Sequence, residues 1–311
     1  MLGLMQDWPL TLDRIIDHGA RCHGGREVVT RSLEGPLVRT TYAEIRLRAR
    51  QVSHGLAELG VGLGDRVATL AWNTHRHIEL WYGAMGMGAV CHTLNLRLHP
   101  DQICWIMRHA GDKVIFADLT FAPMLLERRP DMASVEKIIL LGDASQRPPG
   151  AGPDVLMYEE WLAARPTEGP ATPAWGGFSE ETAAGLCYTS GTTGDPKGVL
   201  YSHRSNFLFT LLTLQADAMG VSGRDTVLAV VPMFHANAWG LPFTTAAVGA
   251  KLVLPGMKLD GASVHELLET EGVTFSAAVP TVWQMLLQHL RDTRGKITTL
   301  KRVIIGGSAC P

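Results

Sequence analysis

The segment Tyr188-Thr189-Ser190-Gly191-Thr192-Thr193-Gly194-Asp195-Pro196-Lys197-Gly198-Val199 sets a run of hydroxyl residues and glycines between two apolar stretches and closes it with a lysine. That combination suits a polyphosphate. Glycine lets the backbone turn through positive φ and come close to a ligand. Successive N–H groups make an anion-binding concavity, the hydroxyls add donors, and Lys197 adds a full positive charge. A Walker A loop is a different object. It needs Gly-x4-Gly-Lys-Ser/Thr opening a helix, whereas here Pro196 precedes the lysine and Gly198 follows it. The lysine therefore enters a strand, and the loop reads as a hairpin-like flap over phosphates. A surface turn rich in Ser, Thr and Gly is the plainer alternative; the lysine and the two flanking strands favour phosphate.

Two later segments place small or polar residues at strand ends. Val231-Pro232-Met233-Phe234-His235-Ala236-Asn237-Ala238-Trp239-Gly240 sets His235 and Trp239 four residues apart, one helical turn, which predicts that both face one cavity. Gly306-Gly307-Ser308-Ala309-Cys310-Pro311 ends an apolar stretch in residues small enough to admit a flat base or a thin chain. Taken singly, His235 reads better as a capping or core histidine, Trp239 as a core tryptophan, and 306–309 as an ordinary turn.

The elements that must position these residues follow from the apolar pattern. Short apolar runs predict strands at Asp65–Trp72, Gly88–Leu94, Lys113–Ala117 and Lys137–Leu141, then at Ala183–Thr189, Gly198–Ser202, Thr226–Val231, Lys251–Leu254, Thr274–Ala277 and Arg302–Ile305. Helical spacing between them predicts helices at His99–Arg108, Tyr158–Ala163, Ser205–Met219, Trp239–Val248, Ser263–Glu271 and Thr281–Leu290. Strands alternating with helices imply parallel sheets covered by helices on their faces. The expected fold class is α/β, with two α/β subdomains. Residues 8–60, where Leu12, Ile15, Ile16, Ile45, Val52, Leu56 and Leu59 recur at helical spacing, read as a helical cap. The domain reading is a cap over 1–60, a first α/β subdomain with a Pro/Gly/Ala/Ser-rich linker over 61–180, and a second over 181–311.

Composition sets the outer bounds. The 311 residues are 46% hydrophobic and 19% charged, a globular balance with material for about two domains. Net charge is −2, so no global positive field argues for nucleic acid. No apolar run reaches the ~18–20 residues of a membrane span, which leaves at most peripheral membrane contact. The first residues lack the basic start of a signal peptide, and a cytoplasmic location is expected. The five cysteines, Cys22, Cys91, Cys104, Cys187 and Cys310, are scattered and odd in number, against a disulfide framework or structural zinc. Arg46, Arg48 and Arg50 read as a solvated helix face.

The phosphate segment resembles the signature loop of the adenylate-forming enzymes, which include acyl- and aryl-CoA synthetases, luciferases and peptide-synthetase adenylation domains. The segments 231–240 and 306–311 resemble the second and third motifs of the fatty-acyl-CoA synthetase branch, and Gly88-Ala89-Val90 with His92-Thr93-Leu94-Asn95 fits the N-terminal subdomain of that branch. The resemblance implies the large N-terminal domain of that fold and an AMP-forming acid–thiol ligase. A carboxylate attacks the α-phosphate of ATP to give an acyl-adenylate, and the thiol of CoA then takes the acyl group. By the same resemblance Thr189, Ser190, Gly191, Thr192, Thr193, Gly194 and Lys197 hold phosphate, with the Thr189 hydroxyl helping to hold Mg²⁺. His235 orients the carboxylate, and Trp239 gates an apolar tunnel for the acyl chain. Gly306 and Gly307, with Ser308 and Ala309, wall the acyl pocket from the adenine. A carboxylate nearing a polyphosphate is repelled, so the site must supply positive charge and positioning. Since a carboxylate is already ionised at neutral pH, His235 is expected to orient rather than to act as a base.

The implied acid is a medium- or long-chain fatty acid. The opening Met-Leu-Gly-x-Met with Pro-Leu soon after also resembles ligases for short thioether acids such as 3-methylmercaptopropionate. A homodimer through the N-terminal region is a further implication. Family members continue well beyond the third motif, and no Tyr-Gly-x-Thr-Glu string occurs in these 311 residues. The C-terminal domain with its adenylation lysine is expected to be absent and the chain alone to be inactive. Two readings from other classes stand beside the ligase: a non-catalytic nucleotide-binding fragment, and a phosphotransferase yielding ADP, which the failed Walker pattern opposes.

Overall fold

The computed structural model describes residues 1, 3–167, 175–189 and 195–309. Of the residues expected at the phosphate loop, Ser190, Gly191, Thr192, Thr193 and Gly194 lie outside the described residues, as do Cys310 and Pro311.

Among the described residues the elements run in order from α1 (Leu12–His23) through β1 (Glu27–Arg31), β2 (Leu37–Thr41) and α2 (Tyr42–Glu58) to β3 (Arg66–Leu70) and α3 (His75–Gly86). Then come β4 (Val90–Thr93), α4 (Pro100–Ala110), β5 (Val114–Asp118), α5 (Ala122–Glu127), β6 (Lys137–Leu141), β7 (Val155–Met157) and α6 (Tyr158–Ala163). The hairpin β8 (Ala183–Thr189) and β9 (Lys197–Ser202) follows, with α7 (His203–Thr213) and β10 (Thr226–Ala229) after it. The last elements are α8 (Leu241–Val248), β11 (Lys251–Leu254), α9 (Gly261–Thr270), β12 (Phe275–Ala278), α10 (Pro280–Thr293) and β13 (Arg302–Ile305).

The chain is α/β and divides into two units. The first comprises Met1–Asp17, Leu47–Leu70 and Leu80–Phe209; the second comprises His18–Arg46, Ala71–Glu79 and Thr210–Pro311. Because each unit is assembled from separated stretches, the contiguous divisions at residues 60 and 180 do not coincide with them.

The first unit holds a seven-stranded sheet in the order β7-β6-β5-β3-β4-β8-β9, parallel except for the antiparallel β8–β9 pair. Its central strands are apolar along their whole length because helices cover both faces. In β5, Val114, Ile115, Phe116 and Ala117 are all buried, and Ile138 and Leu140 of β6 pack in one cluster with Ile103, Cys104 and Met107 of α4. Helix α4 is strongly specified locally. The His99 side chain accepts from the Asp101 N–H at its start, Pro100 occupies its first turn, and Gly111 ends it at φ +68° with its N–H on the Met107 carbonyl.

The second unit holds a six-stranded sheet in the order β13-β12-β10-β11-β1-β2, with β1–β2 antiparallel and the other pairs parallel. Val29, Leu228, Val253, Val264, Leu267 and Trp283 form its core on one side. The β1–β2 hairpin corrects the purely helical reading of 8–60. Its Val- and Thr-rich stretches are half polar, so they resemble neither a helix nor the continuous apolar run of a buried strand. They are strands because β1 adds in parallel to β11 and is buried there.

Candidate functional site

In the first unit, β8 and β9 pair with Tyr188 opposite Gly198 and Thr189 opposite Lys197. The Thr189–Lys197 rung closes the described hairpin. Both residues are exposed, so one hydroxyl and one ammonium stand together at the loop end of the pair. Sheet pairing thus explains the spacing: seven residues separate them in sequence, yet they are cross-strand partners. A cationic donor beside a neutral one fits an anionic oxygen cluster such as a polyphosphate. Asp195 and Pro196, on the return, line a cleft of about 280 Å³ with Asp101, Gln102 and Trp105 of α4. Among the described residues no group of three or more His, Cys, Asp or Glu side chains is placed to hold a metal ion. A magnesium ion here would be held by the Thr189 hydroxyl together with phosphate oxygens, a mode that ion commonly adopts with its substrate's phosphates.

In the second unit, the chain leaves β10 and runs through Val230–Phe234 to His235. Asn73, 5% exposed, pins this segment. Its Nδ2 donates to the carbonyls of Ala229 (2.9 Å) and Val231 (2.8 Å), and its Oδ1 accepts from the Met233 N–H at 2.9 Å. The Asn73 carbonyl in turn accepts from the Gly256 N–H at 3.1 Å. Gly256 must be glycine: its φ is +62°, and a Cβ there would meet the Arg31 carbonyl oxygen at 2.4 Å. Sequence reasoning missed Asn73 because a lone asparagine after a strand reads as a loop residue. Its signal is three-dimensional.

His235 is exposed at the end of this pinned segment and has extended backbone, φ −126° and ψ 122°. Beyond it the expected helical turn does not form. Ala236, Asn237, Ala238 and Trp239 adopt φ of +44°, +52°, +50° and +51°, and Gly240 +71°, a left-handed turn that precedes α8. The one-turn spacing of a right-handed helix therefore does not relate His235 to Trp239, and α8 starts at Leu241 rather than at Trp239. The left-handed turn instead brings Trp239 to β13's exit. A Cβ on Gly306 would stand 2.8 Å from Cη2 of the Trp239 ring, so the ring lies flush on the glycine backbone. Gly307 follows at φ +86°, with Val279 Cγ1 3.2 Å from where its Cβ would be. Ser308 and Ala309 are exposed. Trp239 and Gly306 are thus in contact in the second unit, as Thr189 and Lys197 are paired in the first.

A family model described as AMP-binding enzyme matches residues 16–311. The chain is 44% identical over 311 residues to a medium-chain-fatty-acid–CoA ligase of Ectopseudomonas oleovorans, covering all of this chain and 56% of that protein. It is 45% identical over 315 residues to a 3-methylmercaptopropionyl-CoA ligase of Ruegeria lacuscaerulensis, covering all of this chain and 57% of the relative. The chain therefore spans somewhat more than half the length of these curated relatives. Among solved structures, an anthranilate CoA ligase in complex with anthranoyl-AMP superposes with a TM-score of 0.86 at 23% identity, over 98% of this chain and 57% of that one, which shows the fold. With the family model spanning nearly all of its length, the chain belongs to the AMP-binding enzyme family.

Proposed function

We propose that the chain carries the phosphate hairpin and the acyl-pocket wall of an AMP-forming acid–thiol ligase acting on a medium- or long-chain fatty acid. The observation that carries this reading is the Thr189–Lys197 rung, which places a cation and a hydroxyl side by side at the loop end of the hairpin. Lys197 holds the β- and γ-phosphates of ATP, turning them away from the acid, and Thr189 supplies a hydroxyl for Mg²⁺, which neutralises phosphate charge when bound. His235 orients the carboxylate. Its oxygen attacks the α-phosphorus, the bond to the bridging oxygen breaks, and pyrophosphate leaves; the CoA sulfur then attacks the activated carbonyl and AMP leaves. Trp239, resting on Gly306, controls entry to the acyl pocket, and 306–309 separate that pocket from the adenine. No described helix is long and apolar enough to cross a membrane. The expected setting is cytoplasmic, with at most peripheral membrane contact to collect fatty acid, and a homodimer is the assembly that the family resemblance implies.

A short thioether acid is the second reading of the substrate, favoured by the Ruegeria relative. Calorimetric titration of the chain with ATP and magnesium tests the phosphate assignment. Lys197→Met is expected to weaken binding about tenfold or more, the loss of a charge-assisted contact. Titration with hexanoate, decanoate, palmitate and 3-methylmercaptopropionate then separates the acids. ATP binding that ignores Lys197 would refute the assignment, and conversion of ATP to ADP would favour a phosphotransferase.

A further inference from the structure

Nothing assigned so far explains what aims the Thr189–Lys197 rung. Strand β9 is the sheet's edge, paired only to β8, and Lys197 through Leu200 are exposed along it. The β4–β8 pairing ends at Cys187, so the loop end of the hairpin has few strand contacts to fix its direction. The residue just inside that end, Tyr188, is held from three sides.

Below it lies β4. His92 pairs with Leu186 in the β4–β8 register, and alternate residues of a strand share a face, so Tyr188 stands on the same face as His92. Their rings are 5.2 Å apart at 43°. His92 is itself immobilised: it is fully buried, and its Nδ1 lies 2.9 and 2.8 Å from the two oxygens of Asp112, also fully buried. Burial raises the Asp112 carboxyl pKa, and the His92 contact opposes that rise. Across the hairpin, Gly198 brings bare backbone against the Tyr188 ring; a Cβ there would stand 3.3 Å from the ring's Cζ. At the far end, the Tyr188 hydroxyl and His109 Nδ1 are 2.6 Å apart. His109 belongs to the last turn of α4, and its ring is stacked on Trp105 at 4.8 Å and 12°.

We propose that Tyr188 is a positioning residue for the phosphate hairpin: gripped by His92, Gly198 and His109, it ties the edge pair to α4 and so sets the direction of Thr189 and Lys197. The proposal rests on the phosphate reading given above. It assigns no contact with substrate to Tyr188 or His109, and predicts that the hydroxyl–imidazole link acts as one unit.

The test uses the 311-residue chain and four variants: Tyr188→Phe, His109→Phe, their combination, and His109→Gln. His109→Phe keeps a ring to stack on Trp105 but cannot bond the hydroxyl; His109→Gln restores a hydrogen-bonding group. Affinity for ATP with magnesium is read by calorimetry, and amide hydrogen exchange is followed over 186–189 and 197–200. Each single Phe variant is expected to weaken ATP binding about three- to tenfold, the range a single side-chain hydrogen bond supplies. The double variant should be no weaker than the singles, and His109→Gln should bind as the parent does, with melting temperatures alike throughout. Exchange in the two hairpin stretches should quicken in the Phe variants and not in His109→Gln. Additive losses, or unchanged ATP affinity and exchange in Tyr188→Phe, would overturn the proposal. If the parent chain binds no ATP, the phosphate reading fails, and exchange alone decides whether Tyr188 holds the hairpin.

Discussion

Removing the Asn73 carboxamide would leave the carbonyls of Ala229 and Val231 and the N–H of Met233 without their partner in a buried setting. An unsatisfied buried group costs about 1–3 kcal/mol, so Asn73→Ala is expected to destabilise the second unit by roughly 2–4 kcal/mol. Asn73→Asp should be at least as harmful, because a carboxylate cannot donate to two carbonyls. Urea unfolding measures both; an aspartate variant as stable as the parent would show that the donor bonds contribute little. The contrast with Gly306 shows what a single position discloses. A glycine at a strand's end announces a close approach, and the Trp239 ring is what approaches it. The placement of Thr189 and Lys197 was legible too, because two strands flanking a short polar run must form a hairpin. Asn73 was not legible, since its role depends on a strand more than 150 residues away in sequence.

At the scale of elements, five stretches were located to the residue from apolar pattern alone: β6, β8, β11, β13 and α6. They are short, uniformly apolar or bounded by turn residues, so local sequence and tertiary demand agree. The turn at 236–240 is the opposite case. Ala-Asn-Ala-Trp has ordinary helix-forming members, yet all four adopt the left-handed region. Only asparagine and the following glycine visit that region readily, and each remaining L-residue there costs about 1–2 kcal/mol. The strain is held by the surroundings: Asn237 and Ala238 are buried, and the Asn73 bonds fix the approach to the turn. Half-buried Ala236, at φ +44°, is the position where relief is simplest. Ala236→Gly removes the steric cost and adds some freedom to the unfolded chain, for a net stabilisation of about 0.5–1 kcal/mol. The same substitution on the exposed side of an ordinary helix would destabilise by a similar amount. The sign of the change in unfolding free energy is therefore diagnostic of the turn's hand.

Across the whole molecule, the alternation of strands and helices was enough to read two parallel sheets, but strand order and the interleaving of the two units were not. Those depend on which distant strand each edge accepts, as when β1 joins β11 across more than 220 residues. The same long-range closure buries two histidines, one per unit, that sequence spacing leaves unremarked. In the first unit, His203 Nδ1 accepts from the Leu12 N–H at 3.2 Å, and burial lowers its pKa to about 4. In the second, His77 Nδ1 donates to the Trp72 carbonyl at 3.1 Å, and burial again lowers the pKa to about 4 against that bond's opposing effect. Both rings are therefore neutral when folded but protonate near 6.5 when unfolded. The unfolded state binds more protons below that pH, so their contribution is fully present above about pH 6.5 and is lost as pH falls towards 4, roughly 3 kcal/mol for each ring. Carboxylates that their partners hold down act lower. Burial works to raise the Asp225 pKa, but Arg302 at 2.7 Å, with Ser222 and Thr274, holds it below the usual value, so its contribution fades only below about pH 4. Stability should accordingly hold steady from pH 8 to 6.5 and then decline in both units before depressed carboxylates such as Asp225 titrate. His203→Gln, whose carbonyl can still accept from Leu12, should flatten part of that decline; a pH profile identical to the parent's between 6.5 and 4 would show that His203 is not neutral in the fold.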